Sequence, residues 1–333
     1  MKGLTIHQIA KILQATVYAA DETTNMEQEI TGVVIDSRLV KKGCLYIPIR
    51  GARVDGHSFI ATAFVQGAAC VLSEEKLTQV DGPYIFVEKT MEALKKIAAY
   101  YRSTLTIPVI GIIGSVGKTS TKEMISSVLS QKYQIWKTQG NLNNEIGMPL
   151  TLLQVMDEHE VAVIEMGISD FGEMHRLGEI AKPDIVVMTN IGQCHLEKLI
   201  DRPGVLRAKT EILEHLPEHA EVILNVDDDM LRTIPIVPGT HFHYYGTSMD
   251  ADVRAVKIEF AGLDGMKALV ETPAGEFDLT IPLPGEHNVY NALAAMEVGL
   301  CLGLSKAEIV EGIRQIETIS GRSRFLHLRD QIT

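Results

Sequence analysis

Gly114, Ser115, Val116, Gly117, Lys118 and Thr119 put two glycines, a lysine and a hydroxyl into one short stretch, with Ser120 following. Glycines let backbone N–H groups face phosphate oxygens. A lysine there can reach the β- and γ-phosphates, and the Thr hydroxyl can meet magnesium. The chemistry such a loop supports is binding of a nucleoside triphosphate, ATP in this reading, with Mg2+. The general pattern places its first glycine where this chain has Ile112, and Gly111 stands one place early. A second candidate is Glu165, which closes the apolar run Val161-Ala162-Val163-Ile164. A carboxylate at a strand end beside a phosphate loop can hold magnesium. His195 follows a further strand, and taken alone it reads as a structural histidine as readily as a ligand. Asp170-Phe171-Gly172 matches a kinase metal motif in letters only, since the other kinase segments are missing. No Asn-Lys-x-Asp guanine motif is present, which disfavours a GTPase.

These residues need elements to hold them. Residues 109–113 form a short apolar strand, and 118–131 a helix with Met124, Ile125, Val128 and Leu129 on one face. Further apolar strands are predicted over 161–166, 184–189 and 222–226. Continuous apolar strands alternating with helices imply a parallel sheet covered on both faces, with ligands at the carboxyl ends of the strands. Upstream, 31–35, 44–49 and 69–73 read as strands, 59–66 as a helix and 91–104 as a connecting helix. Residues 253–283 read as antiparallel strands with turns at 262–265 and 273–275, followed by a helix over 287–302. The fold class is therefore α/β. A small α/β N-terminal domain (1–85) and a connecting helix (86–106) precede a central P-loop domain with a mainly parallel sheet flanked by helices (107–315). A tail covers 316–333.

The bulk numbers agree with a globular protein. The 333 residues are 46% hydrophobic and 22% charged, with a formal net charge of −12. Such an acidic chain lacks the basic surface that non-specific nucleic-acid binding needs. Cys44, Cys70, Cys194 and Cys301 form no C-x-x-C pair, so free thiols in a reducing compartment are expected. No signal peptide or membrane-spanning run is visible, and a cytoplasmic monomer is the expectation.

Several segments in fixed order resemble the Mur ligase family, which builds the stem peptide of peptidoglycan. They are GIIGSVGKTSTK (111–122), TQGNLNNEIGMPLTLL (138–153), IEMGISDFG (164–172), TNIGQCH (189–195), AKTEIL (208–213) and GEHNVYNALAA (285–295). The stretch from 138 is similar to the branch that adds D-alanyl-D-alanine. The resemblance implies a reaction in which ATP phosphorylates the terminal carboxylate of UDP-N-acetylmuramoyl-tripeptide. The amine of D-alanyl-D-alanine then displaces phosphate to form an amide. It implies that Lys118 and Thr119 meet phosphate and magnesium, that Glu165 and His195 hold two magnesium ions, and that Lys209 carries a carbamate. Lys118, Lys209 and His195 are thereby the catalytic candidates. It further implies that Asn288 contacts adenine and Arg322 approaches the phosphates, with Arg324 a competitor. Asn141 and Asn144 would position substrate, while Ser37 and Arg38, with Asp55 and His57, would bind the uridine diphosphate. Asx turns would also explain those last letters.

Some positions depart from the family pattern. Ile113 and Val116 replace polar residues of the loop, Pro48 and Arg50 interrupt a strand end, and Ile200-Asp201-Arg202-Pro203 replaces a more regular segment. Only a short tail follows Arg324, where the family carries a third domain that closes over ATP. The expectation is a chain that binds nucleotide but ligates poorly by itself. The competing readings are a non-catalytic binding protein that kept the fold, and another Mur or folylpolyglutamate-synthase-like ligase.

Overall fold

A computed structural model describes residues 3–18, 24–78 and 81–317; Arg322 and Arg324 lie outside the described residues. The chain forms two compact units. The first comprises Met1–Ile107, Thr138–His159 and Glu179–Lys182, and the second Pro108–Lys137, Glu160–Gly178 and Pro183–Thr333.

In the first unit the elements run α1 (Ile6–Leu13), β1 (Val17–Tyr18), β2 (Gly32–Val34), β3 (Cys44–Tyr46), α2 (Ile60–Val65), β4 (Cys70–Ser73), β5 (Tyr84–Phe86) and α3 (Thr90–Thr104). Thr5 starts α1 through a reciprocal cap with Gln8, which satisfies two otherwise orphaned N–H groups. The sheet order is β1-β5-β4-β3-β2, parallel from β2 to β5, with β1 antiparallel at one side. Val71 and Tyr46 pack with Ile60 and Ala63 of α2 in a small core.

The second unit begins with β6 (Val109–Ile113), α4 (Lys118–Leu129) and β7 (Ile135–Lys137). After α5 (Gly147–Leu152), a helix of the first unit, come β8 (Val161–Glu165), α6 (Glu173–Ala181), β9 (Ile185–Met188), α7 (Leu196–Leu199) and α8 (Arg202–Thr210). The chain continues with β10 (Glu221–Asn225), β11 (His241–Gly246), β12 (Val253–Phe260), β13 (Met266–Thr272), β14 (Gly275–Ile281), α9 (Glu286–Cys301) and α10 (Lys306–Arg314). The nine-stranded sheet has the order β14-β13-β12-β11-β10-β9-β6-β8-β7. Strands β7 to β12 are parallel, and β12, β13 and β14 form an antiparallel meander. All five residues of β6 and of β8 are buried, as strands covered on both faces require. The meander instead alternates: Met266, Ala268 and Val270 face the core with Phe277, Leu279 and Ile281, and the residues between them are more exposed. β7 and β14 are the outer strands. β7 has three residues, and Lys306 of α10 donates to the Glu276 carbonyl of β14.

The α/β architecture, the parallel strands from 109, 161, 184 and 222, and the antiparallel stretch 253–283 agree with the sequence reading. Residues 44–49 differ, because the strand stops at Tyr46 ahead of Pro48, which has no N–H for a ladder. β11 was not expected, since its sequence His-Phe-His-Tyr-Tyr-Gly shows neither an apolar run nor clean alternation.

Candidate active site

The chain leaves β6 into the loop and then enters α4. β8 and β9 flank β6 on opposite sides, so the loop sits at the switch point of the sheet, where α/β proteins open a crevice. Gly114 has φ +157, and a Cβ there would collide with the Thr189 hydroxyl. Gly117 sits in the left-handed region at φ +85 and starts α4 without a side-chain cap. Both glycines are therefore dictated by backbone geometry and close approach.

The segment after β9 braces this loop. Ser115 N–H donates to the Asn190 carbonyl at 3.0 Å, and Val116 N–H to Asn190 Oδ1 at 3.0 Å. The Thr189 hydroxyl and Asn190 Nδ2 both donate to the Val116 carbonyl, at 2.8 and 2.9 Å. Gly192 N–H donates to Ser115 Oγ at 2.9 Å. Val116 itself points outward with 69% of its surface exposed, so its apolar side chain leaves the backbone cradle intact. These clamps were not anticipated from sequence. The signal for them was Thr189-Asn190 directly after an apolar strand.

Two lysines converge on one carbonyl. Lys118 Nζ donates to Gly114 O at 2.9 Å, and Lys209 Nζ donates to the same oxygen at 3.0 Å. Lys209 is 1% exposed, not the solvated helix lysine that α8 composition suggests. Burial, and then the charge of Lys118, push its amine down to about 8. Two cations of this kind, one of them desolvated, favour an incoming polyanion. Lys209 shares the inward face of α8 with Val205 and Ala208, a spacing that could have revealed its burial.

Glu165 ends β8 and is 2% exposed. In register it lies opposite Ile112, so its carboxylate belongs to the same strand-end edge as the loop. His195 is exposed and takes the left-handed conformation at φ 51, opening α7. Thr119 and Ser120 occupy the first turn of α4 and are half-buried. Thr119 and Glu165 supply the oxygen donors that suit a hard divalent cation such as Mg2+, and His195 adds an imidazole, a softer donor.

Asn288 is 7% exposed, and Gly285, not Asn288, is the N-cap of α9. Its Nδ2 donates to the Pro284 carbonyl at 2.9 Å, and its Oδ1 accepts from Asn291 at 3.1 Å. Asn291 Oδ1 in turn accepts from the Thr121 hydroxyl of α4 at 2.9 Å. This buried chain ties α9 to the helix that the P-loop starts. Sequence reasoning also missed Asp227 and Asp228, at the end of β10. Burial disfavours the Asp227 carboxylate, yet donors from Thr247 N–H, Thr247 Oγ1, Ser248 N–H and Tyr290 OH hold it below the usual carboxylate range. Asp228 accepts from Ile191 N–H at 2.8 Å and so anchors the segment leading to His195.

In the first unit Ser37 and Arg38 begin the 3-10 turn that follows β2, and Asp55 and His57 open a second 3-10 turn ahead of α2. Asp36 accepts from Arg38 N–H at 3.0 Å, and Arg38 reaches outward from a buried Ser37. Asp55 accepts from His57 N–H at 2.9 Å and contacts His57 Nδ1 at 2.7 Å, while His57 Nε2 accepts from Glu74 N–H at 3.1 Å. Those contacts assign a neutral His57 with its proton on Nδ1. Both Asx turns form. Asn144 Oδ1 accepts from Ile146 and Gly147 N–H groups ahead of α5, a capping role, and the Asn141 carbonyl accepts from Asn143 N–H. Asp170 pairs with Lys198 at 3.2 Å, in keeping with a chance match to the kinase letters. Among the described residues no helix is long and apolar enough to cross a membrane.

Two family models match the chain: "Mur ligase middle domain" over residues 112–299, and "Mur ligase family, catalytic domain" over 29–102. The chain belongs to the Mur ligase family. Among curated Mur ligase relatives, the UDP-N-acetylmuramoyl-tripeptide--D-alanyl-D-alanine ligase of Escherichia coli (strain K12) is 33% identical, covering 97% of this chain and 70% of the relative. The enzyme of the same name from Bacillus subtilis (strain 168) is 34% identical, with 97% and 69% covered. A crystal structure of MurF from Acinetobacter baumannii superimposes with a TM-score of 0.88 at 32% identity, covering 97% of this chain and 69% of that one. MurF ligase from Thermotoga maritima, solved in complex with ADP, gives 0.78 at 29% identity, with 87% and 67% covered.

Proposed function

We propose that this Mur ligase is an ATP-dependent amide ligase that joins D-alanyl-D-alanine to UDP-N-acetylmuramoyl-tripeptide in peptidoglycan precursor synthesis. The observation that carries the reading is the braced P-loop with Lys118 and the buried Lys209 on one carbonyl, in a chain similar along 97% of its length to ligases of that name. A carboxylate is a poor electrophile. Transfer of the γ-phosphoryl group to a carboxylate oxygen of the tripeptide releases ADP and gives an acyl phosphate. The amine of the dipeptide attacks the acyl carbon, phosphate leaves with the C–O bond electrons, and the amine proton passes to solvent or a base.

The chain's own groups serve this sequence. The loop N–H groups that Asn190 does not engage, those of Gly117, Lys118 and Thr119 among them, and the Lys118 ammonium bind the phosphates and offset repulsion between the two anionic reactants. Thr119, Glu165 and His195 would hold magnesium, two ions in this reading, and bound magnesium would neutralise charge developing on the transferred group. Lys209 is suited to carbamylation: its depressed pKa leaves more neutral amine at pH 7 than an ordinary lysine has, and attack on CO2 releases one proton and yields an anion. Asn288 would border the adenine, with Arg322 near the phosphates. Ser37, Arg38, Asp55 and His57 would bind the uridine diphosphate, and Asn141 and Asn144 would position substrate.

The test is phosphate release by untagged protein made from the complete open reading frame. ATP and UDP-N-acetylmuramoyl-tripeptide are supplied with and without D-alanyl-D-alanine. Release that requires both co-substrates, together with the amide product by mass spectrometry, is expected. Nucleotide binding without substrate-dependent release would overturn the assignment and leave a binding protein.

A further inference from the structure

Apart from the P-loop residues, α6 and the 3-10 turn Glu211–His215 bring two imidazoles and a carboxylate together on the surface of the second unit. His175 Nδ1 lies 3.1 Å from Glu214 Oε2 and 3.1 Å from His215 Nε2. The three ligand atoms all fall within 4.8 Å of one another. Tetrahedral zinc, with bonds of about 2.0–2.1 Å, spaces its ligand atoms roughly 3.3 Å apart, and the two separations from His175 Nδ1 are close to that spacing.

The supports of the triad are built in. Glu211, at the head of the turn, accepts from Gly172 N–H at 2.9 Å and His175 N–H at 3.1 Å, which pins the start of α6 to the same turn that carries Glu214 and His215. The His215 ring packs over Gly178, where a Cβ would stand 2.8 Å from its Cδ2. The two rings meet edge to face with centroids 4.4 Å apart. The side chains of His175 and Glu214 are 48% and 65% exposed, so solvent can complete the coordination.

Proton placement favours a cation. One proton satisfies both short contacts: His175 Nδ1–H shared between the Glu214 carboxylate and the His215 Nε2 lone pair. A divalent cation takes the place of that proton, which moves through solvent to Nε2 so that His175 stays a neutral imidazole, and three lone pairs then converge on the metal. The other His- and Cys-bearing cluster of the unit is built differently. His243 contacts Glu221 through Nε2 at 2.6 Å and Glu297 through Nδ1 at 2.8 Å, so both nitrogens are donors and neither keeps a lone pair for a metal.

We propose that His175, Glu214 and His215 form a surface site for a divalent transition metal of the zinc class. Two imidazoles and one carboxylate select such ions over Mg2+, which prefers oxygen ligands. The site uses none of the residues assigned to phosphate or magnesium binding, and it stands whether or not the ligase reading holds.

The experiment uses untagged protein, stripped with a chelator and titrated with Co2+ (visible absorption) and with Zn2+ (competition against a chromophoric chelator). One equivalent is expected, undiminished by millimolar Mg2+ and retained in Cys301→Ser. His175→Ala and His215→Ala should each weaken binding by more than the roughly 10–100-fold that loss of a supporting partner costs, and Gly178→Ala, which displaces His215, by about 10-fold. Zn2+ should also shift the imidazole NMR signals of His175 and His215 in the unmutated protein and leave that of His243 in place, a readout independent of any variant. Absence of Co2+ uptake, binding in either His variant as tight as in the unmutated protein, or loss of binding in Cys301→Ser overturns the proposal.

Discussion

Two ionic clusters of the second unit use burial in opposite ways. At the P-loop, Lys209 is desolvated beside another cation, and its amine is pushed down to about 8. On β11, His243 sits between Glu297 and Glu221, whose carboxylates outweigh partial burial and raise the imidazole to about 9. One arrangement costs stability until an anion arrives. The other is complete as it stands. The contrast separates a group placed for a ligand from a group placed for the fold.

The strongest way to break the comparison is Lys118→Ala. If the loop cations exist for the nucleotide, substrate-dependent phosphate release should fall about 10²–10³-fold, the usual cost of losing one charge-stabilising donor. Thermal melting of the ligand-free protein should change little. Retained turnover would remove Lys118 from the site.

Lys209→Met is the sharper test, because it should move activity and stability in opposite directions. Release of phosphate should be lost, while the ligand-free protein gains about 1–3 kcal/mol, as replacement of a poorly satisfied buried charge by an apolar side chain often does. Denaturant unfolding at pH 7 decides it. A destabilised variant would mean that the Lys209–Gly114 hydrogen bond outweighs the like-charge cost.

His243→Gln should behave in the reverse manner, losing on the order of 2 kcal/mol at pH 7 with activity kept. The sign follows from linkage. The folded pKa lies above the ordinary value, so this contribution is full below about 6.5 and is lost as pH rises through about 9. Lys209 has the opposite slope: its folded pKa is depressed, so stability rises with pH between about 8 and 10.5. Unfolding profiles from pH 6 to 10 should therefore lose their falling limb in His243→Gln and their rising limb in Lys209→Met.

Much of this was legible from the chain itself. A P-loop is a local constraint: Gly114 and Gly117 are demanded by their own backbone and the element that follows, so the residue types announce the geometry. Apolar strands such as 109–113 are equally self-declaring. Lys209 was legible only in part: its spacing with Val205 and Ala208 marks an inward face, but what it meets there is a loop 95 residues earlier in the chain. The His243 triad was invisible for the same reason, since Glu221 and Glu297 come from separate elements. Asn288 shows a subtler limit: its letters suggest a ligand contact or a cap, and the structure gives the cap position to Gly285 and engages the Asn288 amide with Pro284 and Asn291.

The smallest expected effect lies in the first unit, where charges at the strand ends satisfy one another. Asp55→Ala removes the acceptor for His57 N–H and should cost about 1 kcal/mol, the size of a lost cap. Thermal melting measures it, and a loss several times larger would mean that this edge, too, carries more than local turn structure.

The ends of the nine-stranded sheet bear on how the protein behaves at high concentration. An outer strand offers unpaired N–H and C=O groups to any other chain, and long, flat, apolar ones nucleate aggregates. Here one outer strand, Ile135–Lys137, is only three residues long and ends in a cation. The other sets the acids Glu276 and Asp278 on its solvent face and has one of its carbonyls taken by Lys306. Colloidal stability is thus written into both ends of the same sheet that carries the phosphate loop.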